Sequence, residues 1–335
     1  MKIIIPMAGI GKRMRPHTLT IPKPLIPIAG KPIVQRLVEE IAAVLPDKIE
    51  EIAYIIGDFG TEVENRLKDI AGKLGAKATI YYQEEALGTG HAIYCAEPSL
   101  KGKIVVAFAD TLFKADFKLD GSTDGSIWVK KVENPNAFGV VTVDHQNIIN
   151  GFVEKPKDFI SDLAIIGIYY FKEGEKLRDE LKYLLDKNVV VNGEYQLTDA
   201  LENMRRKGIR FTTGKVKEWL DCGNKDATVY TNQRILENIR SEKLVAGSAK
   251  INNSIIIPPC FIGENVVVEN SVVGPYVSAG RNTSIINSLI KNSIIQENTV
   301  IENHNLENSM IGNHVEFRGK TSEVNIGDYA AIVRQ

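Results

Sequence analysis

The sequence is poor in cysteine, and its few cysteines follow no metal-binding or disulfide pattern. Cys95, Cys222 and Cys260 are the only three in 335 residues, and they stand far apart, outside any Cys-x-x-Cys or Cys/His spacing. An odd number of scattered cysteines argues against a disulfide framework and against a structural metal site. We therefore expect reduced thiols, as in the cytoplasm.

Net charge and long apolar segments are lacking as well. The 41 Lys and Arg residues nearly cancel the 42 Asp and Glu residues, so the chain has no overall field that would hold nucleic acid or an anionic membrane. The apolar start at residues 1–6 is too short for a signal peptide, and no later stretch approaches the length of a membrane span. We expect a cytoplasmic protein with neither nucleic acid nor a membrane as a partner, in which phosphate groups are bound by local charges.

The first 235 residues alternate short apolar runs with amphipathic segments. This alternation predicts an α/β domain with a mixed, mostly parallel sheet and helices on both faces. Ile33, Leu37, Ile41 and Leu45 recur at helical spacing after Pro32, which predicts a helix packed on the sheet. Strands are expected at residues 3–5, 52–56, 79–82, 104–107, 126–130, 139–143 and 165–171, with further helices at 176–185 and 228–240.

The pattern changes near residue 249, where amphipathic segments end and Ile or Val recurs among Asn, Ser and Gly. The dipeptide Asn-Ser begins at residues 253, 270 and 287, a constant interval of 17. A fixed interval predicts a solenoid, here of short parallel strands with three to a coil. Residues 249–330 resemble the left-handed parallel β-helix of hexapeptide-repeat proteins, and an irregular β-sandwich is the alternative. The expected inward residues are Ile256, Ile262, Val268, Val273, Ala279, Ile285, Ile290, Ile295, Ile301, Leu306 and Ile311.

A loop with two glycines directly follows the first predicted strand. Gly9 and Gly11 let backbone N–H groups approach a phosphate chain, and Lys12 and Arg13 add positive charge. Gly-x-Gly alone is weak evidence, since it also fits a dinucleotide-binding turn or a purely structural turn. A Walker loop, however, needs Ser or Thr after Gly-Lys, and the third glycine of the dinucleotide fingerprint is replaced by Met14.

The continuation of this loop, residues 18–32, makes the pattern specific. Within it, Lys23 stands between Pro22 and Pro24, and a Lys-Pro pair precedes the predicted helix. Together the two segments resemble the signature of the sugar-phosphate nucleotidyltransferases, which have a Rossmann-like sheet. The resemblance implies that Arg13 binds a triphosphate and that Lys23 bridges the phosphates of two substrates. Lys12 departs from the family, which usually carries Thr there.

A glycine-rich turn at residues 82–92 follows another predicted strand. An amide such as Gln83 can pair with the edge of a base, and exposed backbone at Gly88 can complete that pairing. The stretch resembles the nucleobase-binding loop of the same family, especially of its pyrimidine-selecting members, which implies UTP or dTTP. His91, at the start of the next helix, is interpreted as a packing residue. The expected nucleotide contacts are Ala8, Gly9, Gly11, Lys12, Gln83, Gly88 and Thr89.

Two aspartates each follow a predicted strand. Aspartates at strand ends are usually turn residues, and spacing alone does not pair them. The family, however, has one metal-binding aspartate after its central strand and another in a Trp-x-Asp-x-Gly pattern, which Asp110 and Asp221 match. The resemblance implies that both bind Mg²⁺, with substrate phosphates and water completing the shell. Arg13, Lys23, Asp110 and Asp221 are thus the expected catalytic residues.

The segments between these acids resemble the sugar-binding side of the family. The resemblance implies that Gly139 and Glu154 bind sugar hydroxyls, that Lys155 binds the sugar phosphate, and that Tyr169 lies beside them. A carboxylate accepts from vicinal hydroxyls, and an ammonium suits a phosphate. The segment 193–199 resembles a helix start in the family, in which Thr198 or Asp199 is expected to cap the helix.

The resemblance implies an enzyme that transfers a nucleoside monophosphate from dTTP or UTP to a sugar 1-phosphate and releases pyrophosphate. Residues 1–235 are the expected catalytic domain and 249–330 the β-helix, and we expect a homo-oligomer. The alternatives are a choline-phosphate type of nucleotidyltransferase and a non-catalytic, nucleotide-sugar-sensing regulatory subunit. Acyl transfer by the β-helix, with His304 or His314 as base, is a third. The sequence does not identify the sugar.

Overall fold

The computed structural model describes residues 1–115, 119–191 and 193–331. The chain divides into two compact units, which we describe separately. Unit 1 comprises Met1–Pro27 and Lys31–Thr228, and unit 2 comprises Ile28–Gly30 and Val229–Gln335. Among the described residues, none of the helices combines the length and the apolar character needed to cross a membrane.

The first part of the chain is built from strands and helices in alternation. The helices are α1 (Ile33–Val44), α2 (Thr61–Lys73), α3 (Thr89–Tyr94), α4 (Gly174–Asp186), α5 (Leu197–Arg206) and α6 (Lys225–Asn238), and the last of these begins in unit 1 and ends in unit 2. The strands are β1 (Lys2–Pro6), β2 (Pro27–Ile28), β3 (Lys31–Pro32), β4 (Glu51–Ile56), β5 (Lys77–Tyr82), β6 (Ile104–Ala107), β7 (Thr111–Lys114), β8 (Gly125–Lys131), β9 (Gly139–Val143), β10 (Ile149–Glu154), β11 (Leu163–Phe171), β12 (Phe211–Lys215) and β13 (Glu218–Asp221). Short 3₁₀ turns occupy Lys12–Met14, His17–Leu19, Lys23–Leu25, Glu97–Ser99 and Pro135–Ala137.

The main sheet of unit 1 is mixed, as predicted. Its order is β10-β9-β11-β6-β1-β4-β5, and β8 pairs with both β11 and β12. β1 runs parallel to β4 and β6, while β11 enters antiparallel to β6. The side chains of Ile3, Ile4 and Ile5 are all fully buried, which is the continuous apolar pattern of a strand covered on both faces. All seven predicted strands are found, and each differs from its predicted range by at most two residues at either end.

The topology brings the chain's polar loops to one edge of the sheet. Because β1 and β6 are parallel neighbours, the loop after Pro6 and the segment after Ala107 leave the sheet at its same edge. β5 runs parallel to β4 and ends beside it at Tyr82. In open α/β sheets, ligands bind outside the carboxyl ends of parallel strands.

Unit 2 consists of a regular coil of parallel strands. The strands are β14 (Lys250–Asn252), β15 (Ile255–Ile256), β16 (Phe261–Ile262), β17 (Val267–Glu269), β18 (Val272–Val273), β19 (Ser278–Ala279), β20 (Ser284–Ile286), β21 (Leu289–Lys291), β22 (Ile294–Ile295), β23 (Val300–Glu302), β24 (Asn305–Glu307), β25 (Met310–Ile311) and β26 (Glu316–Arg318). They form three sheets, with every third strand of the chain in the same sheet. This is the arrangement predicted for the left-handed parallel β-helix.

The predicted inward residues of the coil form its core. All eleven belong to one apolar cluster, in which Ile256, Leu306 and Ile311 are only partly buried and the other eight are buried. Asparagines with positive φ stand at the corners and are stacked in ladders. Asn265 Nδ2 donates to Asn282 Oδ1 at 3.2 Å, and Asn282 Nδ2 donates to Asn298 Oδ1 at 3.0 Å. Asparagine suits these corners because it tolerates left-handed backbone and can bond to its counterpart in the next coil.

Candidate active site

Two adjoining cavities lie at the carboxyl edge of the sheet in unit 1, and both are lined by Thr89, Phe108 and Asp110. The first has a volume of about 290 Å³, and the second has a volume of about 540 Å³. Among the predicted site residues, the first is lined by Ala8, Gly9, Gly11, Lys23, Gln83, Gly88, Thr89 and Asp110. The second is lined by Arg13, Thr89, Asp110, Gly139, Glu154, Tyr169 and Asp221. Lys12 and Lys155 are not among the residues that line either cavity.

The loop after β1 depends on Gly11. Its φ of 64° lies in the left-handed region, and a Cβ there would come within 3.1 Å of Lys23 Cβ and 3.2 Å of Thr18 Cγ2. The Thr18 hydroxyl donates to the Gly11 carbonyl at 2.9 Å. Gly11 therefore allows the loop to close on the segment that carries Lys23.

Lys23 is held against Asp110. It begins a 3₁₀ turn directly after Pro22, and Pro24 and Leu25 of the same turn are buried. The Lys23 ammonium lies 2.8 Å from Asp110 Oδ2, and its side chain is only 14% exposed. The prolines and the buried turn thus fix a cation beside the carboxylate that lines both cavities.

Asp110 and Asp221 are brought together by β7 and β13. These strands are antiparallel neighbours, with Asp221 opposite Thr111, and the Cys222 N–H donates to the Asp110 carbonyl at 2.9 Å. Burial, and secondly the charge of Asp110, raise the pKa of Asp221, while the Gly223 N–H, Lys23 and Arg13 act in the opposite direction. The pair of carboxylates is therefore electrostatically costly by itself and favours a nearby cation.

This pair fits a magnesium ion. The described residues contain no group of three or more His, Cys, Asp or Glu side chains that could hold a metal. Mg²⁺ commonly uses only one or two protein carboxylates and completes its shell with water and substrate phosphates. Asp110 and Asp221 provide two hard oxygen donors beside a cavity, which is the donor set that such an ion needs.

Arg13 lies on the Asp221 side of this group. An added Cβ at Gly223 would come within 3.2 Å of Arg13 Nη2 and within 3.0 Å of Asp221 Oδ1. The guanidinium and the carboxylate therefore both pack over Gly223. Arg13 lines the second cavity and not the first, and so does Asp221.

Gly88 and Thr89, which both line the first cavity, are the N-cap and the first residue of α3. Gly88 has φ 108°, and an added Cβ would lie 2.7 Å from the Tyr195 carbonyl oxygen. The Thr89 hydroxyl accepts a bond from the Leu197 N–H at 3.0 Å. This turn therefore packs closely against the start of α5.

Glu154 is the acidic group of the second cavity. It lies opposite Gly139 in the β9–β10 pair, and a Cβ at position 139 would come within 3.0 Å of Glu154 Oε2. The Thr198 hydroxyl donates to the same oxygen at 3.3 Å. Lys155 has left-handed backbone with φ 42°, and its ammonium lies 3.7 Å from Glu154 Oε1 with the side chain 65% exposed.

Several side chains that line the second cavity were not predicted as site residues, among them Phe108, Trp219 and Thr198. Phe108 packs edge-on against Tyr169, with ring centroids 6.2 Å apart, and Trp219 packs against Phe138 at 4.8 Å. Burial, and then the Glu154 charge, raise the pKa of Tyr169 far above its ordinary value, so its phenol keeps its proton. Thr198 lies one residue inside α5.

The expected cap at the start of α5 is wrong. The helix begins at Leu197, Gln196 occupies the N-cap position, and no side chain caps it. Thr198 is instead directed to Glu154. Asp199 lies in the first turn, and burial raises its pKa. The Thr-Asp pair in the sequence could have indicated a cavity residue, but not which of the two it would be.

Comparison with known proteins gives a consistent result. The family model described as nucleotidyl transferase matches residues 2–238. The bifunctional protein GlmU of Methanococcus maripaludis is 32% identical over 279 residues, and the match covers 82% of this chain but only 62% of that protein. The glucose-1-phosphate thymidylyltransferase of Streptomyces antibioticus is 28% identical over 362 residues, with 99% of both chains covered. A crystal structure of UDP-glucose pyrophosphorylase complexed with UDP-glucose is 26% identical, has a TM-score of 0.57, and covers 71% of this chain and 98% of its own.

Proposed function

The chain belongs to the nucleotidyl transferase family, and from this premise we propose that it joins a nucleoside monophosphate, taken from dTTP or UTP, to a sugar 1-phosphate. The products are an NDP-sugar and pyrophosphate. The observation that carries the proposal is the position of Asp110, which lines both cavities. One cavity suits each substrate, and their phosphates meet at this residue.

In this proposal the first cavity holds the nucleoside triphosphate. It is lined by the loop at Ala8, Gly9 and Gly11 and also by Gln83 and Gly88. Glycine-rich backbone at the end of a strand can donate N–H groups to phosphate. The amide and the turn can pair with the base. Lys12 contributes long-range charge rather than a contact, because it does not line the cavity.

The second cavity then holds the sugar 1-phosphate. Glu154, held by Thr198, accepts from two sugar hydroxyls, and the absence of a side chain at Gly139 lets the ring approach the carboxylate. The Tyr169 phenol can donate there because it keeps its proton. Lys155 stands outside the cavity lining, so its role toward the sugar phosphate requires its exposed side chain to turn inward.

The reaction needs charge neutralisation more than proton transfer. The oxygen of the sugar phosphate is already an anion, and it attacks the α-phosphorus in line while pyrophosphate leaves on the opposite side. Lys23 and Arg13 stabilise the charge that develops around the α-phosphate. Asp110 and Asp221 would hold Mg²⁺, which when bound supplies a Lewis acid for the phosphate oxygens. Most of the remaining acceleration over the uncatalysed reaction comes from holding both substrates in the orientation for in-line attack.

The experiment is a matrix of nucleoside triphosphates against sugar 1-phosphates. Purified protein with Mg²⁺ is mixed with UTP, dTTP, CTP, ATP or GTP and with several hexose and hexosamine 1-phosphates. Pyrophosphate release and NDP-sugar mass are measured, and phosphocholine is included as the acceptor of the choline-phosphate alternative. We expect turnover only when both substrates are present, with UTP or dTTP preferred. The proposal would be excluded if phosphocholine were the only acceptor that gave turnover. It would also be excluded if no pair of nucleotide and acceptor gave turnover.

We also propose the setting in which the enzyme works. The catalytic domain comprises residues 1–235, and the β-helix comprises residues 249–330. The β-helix has a structural role or mediates oligomerisation. The cysteines are few and follow no disulfide spacing, as is usual for proteins of a reducing compartment such as the cytoplasm. A homo-oligomer is expected, and light scattering of the purified protein tests it.

A further inference from the structure

The amide of Gln83 is held in one orientation by two neighbours. Its Nε2 lies 3.5 Å from the carbonyl oxygen of Gly88 and 3.2 Å from Nδ1 of His91. A carbonyl oxygen can only accept a hydrogen bond, so the atom that faces Gly88 has to be the amide nitrogen. The second hydrogen of this nitrogen is available to His91 Nδ1, which accepts it in the tautomer that leaves this ring nitrogen unprotonated.

The backbone around the amide is fixed as well. The Gln83 N–H donates to the Ile56 carbonyl at 2.9 Å, and the Gly88 carbonyl accepts from the Ala92 N–H at 3.0 Å. The remaining freedom is rotation of the amide itself. The bond to Gly88 is long, so the bond to His91 provides most of the orienting force.

His91 acts from outside the cavity. Gln83 lines the first cavity, whereas His91 is not among the lining residues of either. His91 is half-buried in the first turn of α3. Any effect of its side chain on a bound base therefore passes through Gln83.

We propose that His91 is a positioning residue that selects the nucleobase by fixing which end of the Gln83 amide faces it, an inference that rests on the proposed function. With both N–H groups engaged, Gln83 presents its carbonyl oxygen to the cavity. Uracil, thymine and guanine carry a ring N–H beside a carbonyl group, and this N–H can donate to that oxygen. Cytosine and adenine carry an unprotonated ring nitrogen, so two acceptors would face each other.

The selection depends on His91 because an amide can reverse itself by a half turn. Without an acceptor at position 91, only the long contact to Gly88 opposes the reversed amide, which presents its NH₂ group to the cavity. That group can donate to the ring nitrogen of cytosine. His91 thus fixes the Gln83 amide so that it offers only a hydrogen-bond acceptor to the base.

The test compares two substitutions of His91. His91→Leu removes the acceptor at similar volume, whereas His91→Asn places an amide oxygen that can accept near the position of Nδ1. The kcat/KM values for UTP and CTP are measured at a saturating sugar 1-phosphate, after thermal unfolding has shown that both variants fold. We expect the UTP to CTP ratio to fall about tenfold in His91→Leu, the size of one neutral hydrogen bond, and to stay within about twofold of wild type in His91→Asn.

A double-mutant cycle shows whether the effect passes through Gln83. In a Gln83→Ala background, His91→Leu should leave the UTP to CTP ratio unchanged, since the coupled partner is absent. An unchanged ratio in the single His91→Leu variant would overturn the proposal. Equal losses in His91→Leu and His91→Asn would overturn it too, because they indicate packing alone.

Binding separates this inference from the proposed function. Calorimetric titration of UTP and CTP with Mg²⁺ gives the same ratio without any turnover. If the protein releases no pyrophosphate with any substrate pair, the proposed function is wrong. The role of His91 would still be supported if wild-type protein binds UTP more tightly than CTP and His91→Leu abolishes this difference. Wild-type protein that binds CTP as tightly as UTP would contradict it.

Discussion

The ammonium of Lys23 lies 2.8 Å from Oδ2 of Asp110, the carboxylate that lines both cavities. Because the Lys23 side chain is only 14% exposed and Lys23 stands between Pro22 and Pro24, this contact is part of a fixed arrangement of opposite charges. The cation therefore stands ready beside the point where two phosphates are proposed to meet. We expect its charge to act in the proposed transition state rather than in the stability of the fold.

Lys23→Ala should reduce kcat by about 10²- to 10³-fold, the usual cost of losing one preorganised charge at a transition state. Initial rates of pyrophosphate release at saturating substrates give this value. Lys103→Ala is the matched control, because Lys103 also pairs with an aspartate, Asp47, at 2.8 Å but on the surface. Near wild-type kcat in Lys23→Ala would remove Lys23 from the mechanism.

Asp110→Asn and Asp221→Asn should each lower turnover by at least about 10²-fold and raise the Mg²⁺ concentration needed for half-maximal rate, since each removes a charged oxygen donor. The double variant should turn over only slightly more slowly than the less active of the two single variants, because the two groups act as a unit. Magnesium titrations of the rate provide the test, with the exposed Asp186→Asn as control. Strictly additive losses would show that the two carboxylates act separately.

Thr198→Val should raise the KM for the sugar 1-phosphate by about three- to tenfold, because Glu154 loses the hydrogen bond that orients it. Thr198→Ser keeps the hydroxyl and should restore most of the affinity. The KM for the nucleotide should not change in either variant, since Thr198 lines only the second cavity. A parallel rise in both KM values would indicate damage to α5 as a whole.

Much of the fold follows from local sequence patterns. The period of 17 residues and the spacing of the aliphatics identified the β-helix and all eleven residues of its predicted interior. The coil shortens late in the chain, where Ile285 pairs with Ile301 at an interval of 16, yet the inward pattern continues. In a solenoid each coil contacts only the coils next to it along the chain, so the period of the sequence is enough to predict the structure.

The site is different, because its residues are distant in sequence. Asp110 and Asp221 meet through an antiparallel strand pair that no local pattern encodes, and only resemblance to a family paired them. The side chains of Thr198 and His91 point toward partners from other parts of the chain, and the spacing of residues in the sequence does not predict these partners. Residue types at a site are thus predictable from motifs, while their mutual orientation requires the tertiary structure.

Glu51 should make unfolding stability depend on pH. Burial would raise its pKa, but hydrogen bonds from Thr79 and Ser99, both at 2.7 Å, and the charge of Lys2 together hold the pKa below its usual value. A depressed carboxyl pKa stabilises the fold above the pKa of the unfolded chain, near 4.3, and the benefit is lost as pH falls through the folded value.

Glu51→Gln should therefore cost about 1–3 kcal/mol of unfolding free energy at pH 7, as expected for hydrogen bonds to a charged group, and much less near pH 3. Urea unfolding at both pH values measures this difference. Glu133→Gln, at an exposed position, is the control. An equal loss at both pH values would mean that packing, and not ionisation, accounts for the contribution of Glu51.

The asparagine ladder should contribute to the stability of the β-helix. Asn282 has φ 56° and bonds to asparagines in the coils on either side. Asn282→Ala should cost about 1–3 kcal/mol, because it combines left-handed strain with two lost hydrogen bonds. Asn282→Gly removes the strain and should cost less. The denaturant midpoints of the two variants measure these costs. A glycine variant less stable than the alanine variant would contradict the strain argument.

A structure of the enzyme with Mn²⁺, a non-hydrolysable analogue of UTP and a sugar 1-phosphate would locate both substrates together. The account predicts the triphosphate in the cavity lined by Gly9 and Gln83, the sugar beside Glu154, and anomalous density for the metal between the carboxylates of Asp110 and Asp221. The α-phosphorus should then lie next to Lys23, in line with the sugar phosphate oxygen. Metal density away from both aspartates, or both ligands bound outside the two cavities, would contradict it.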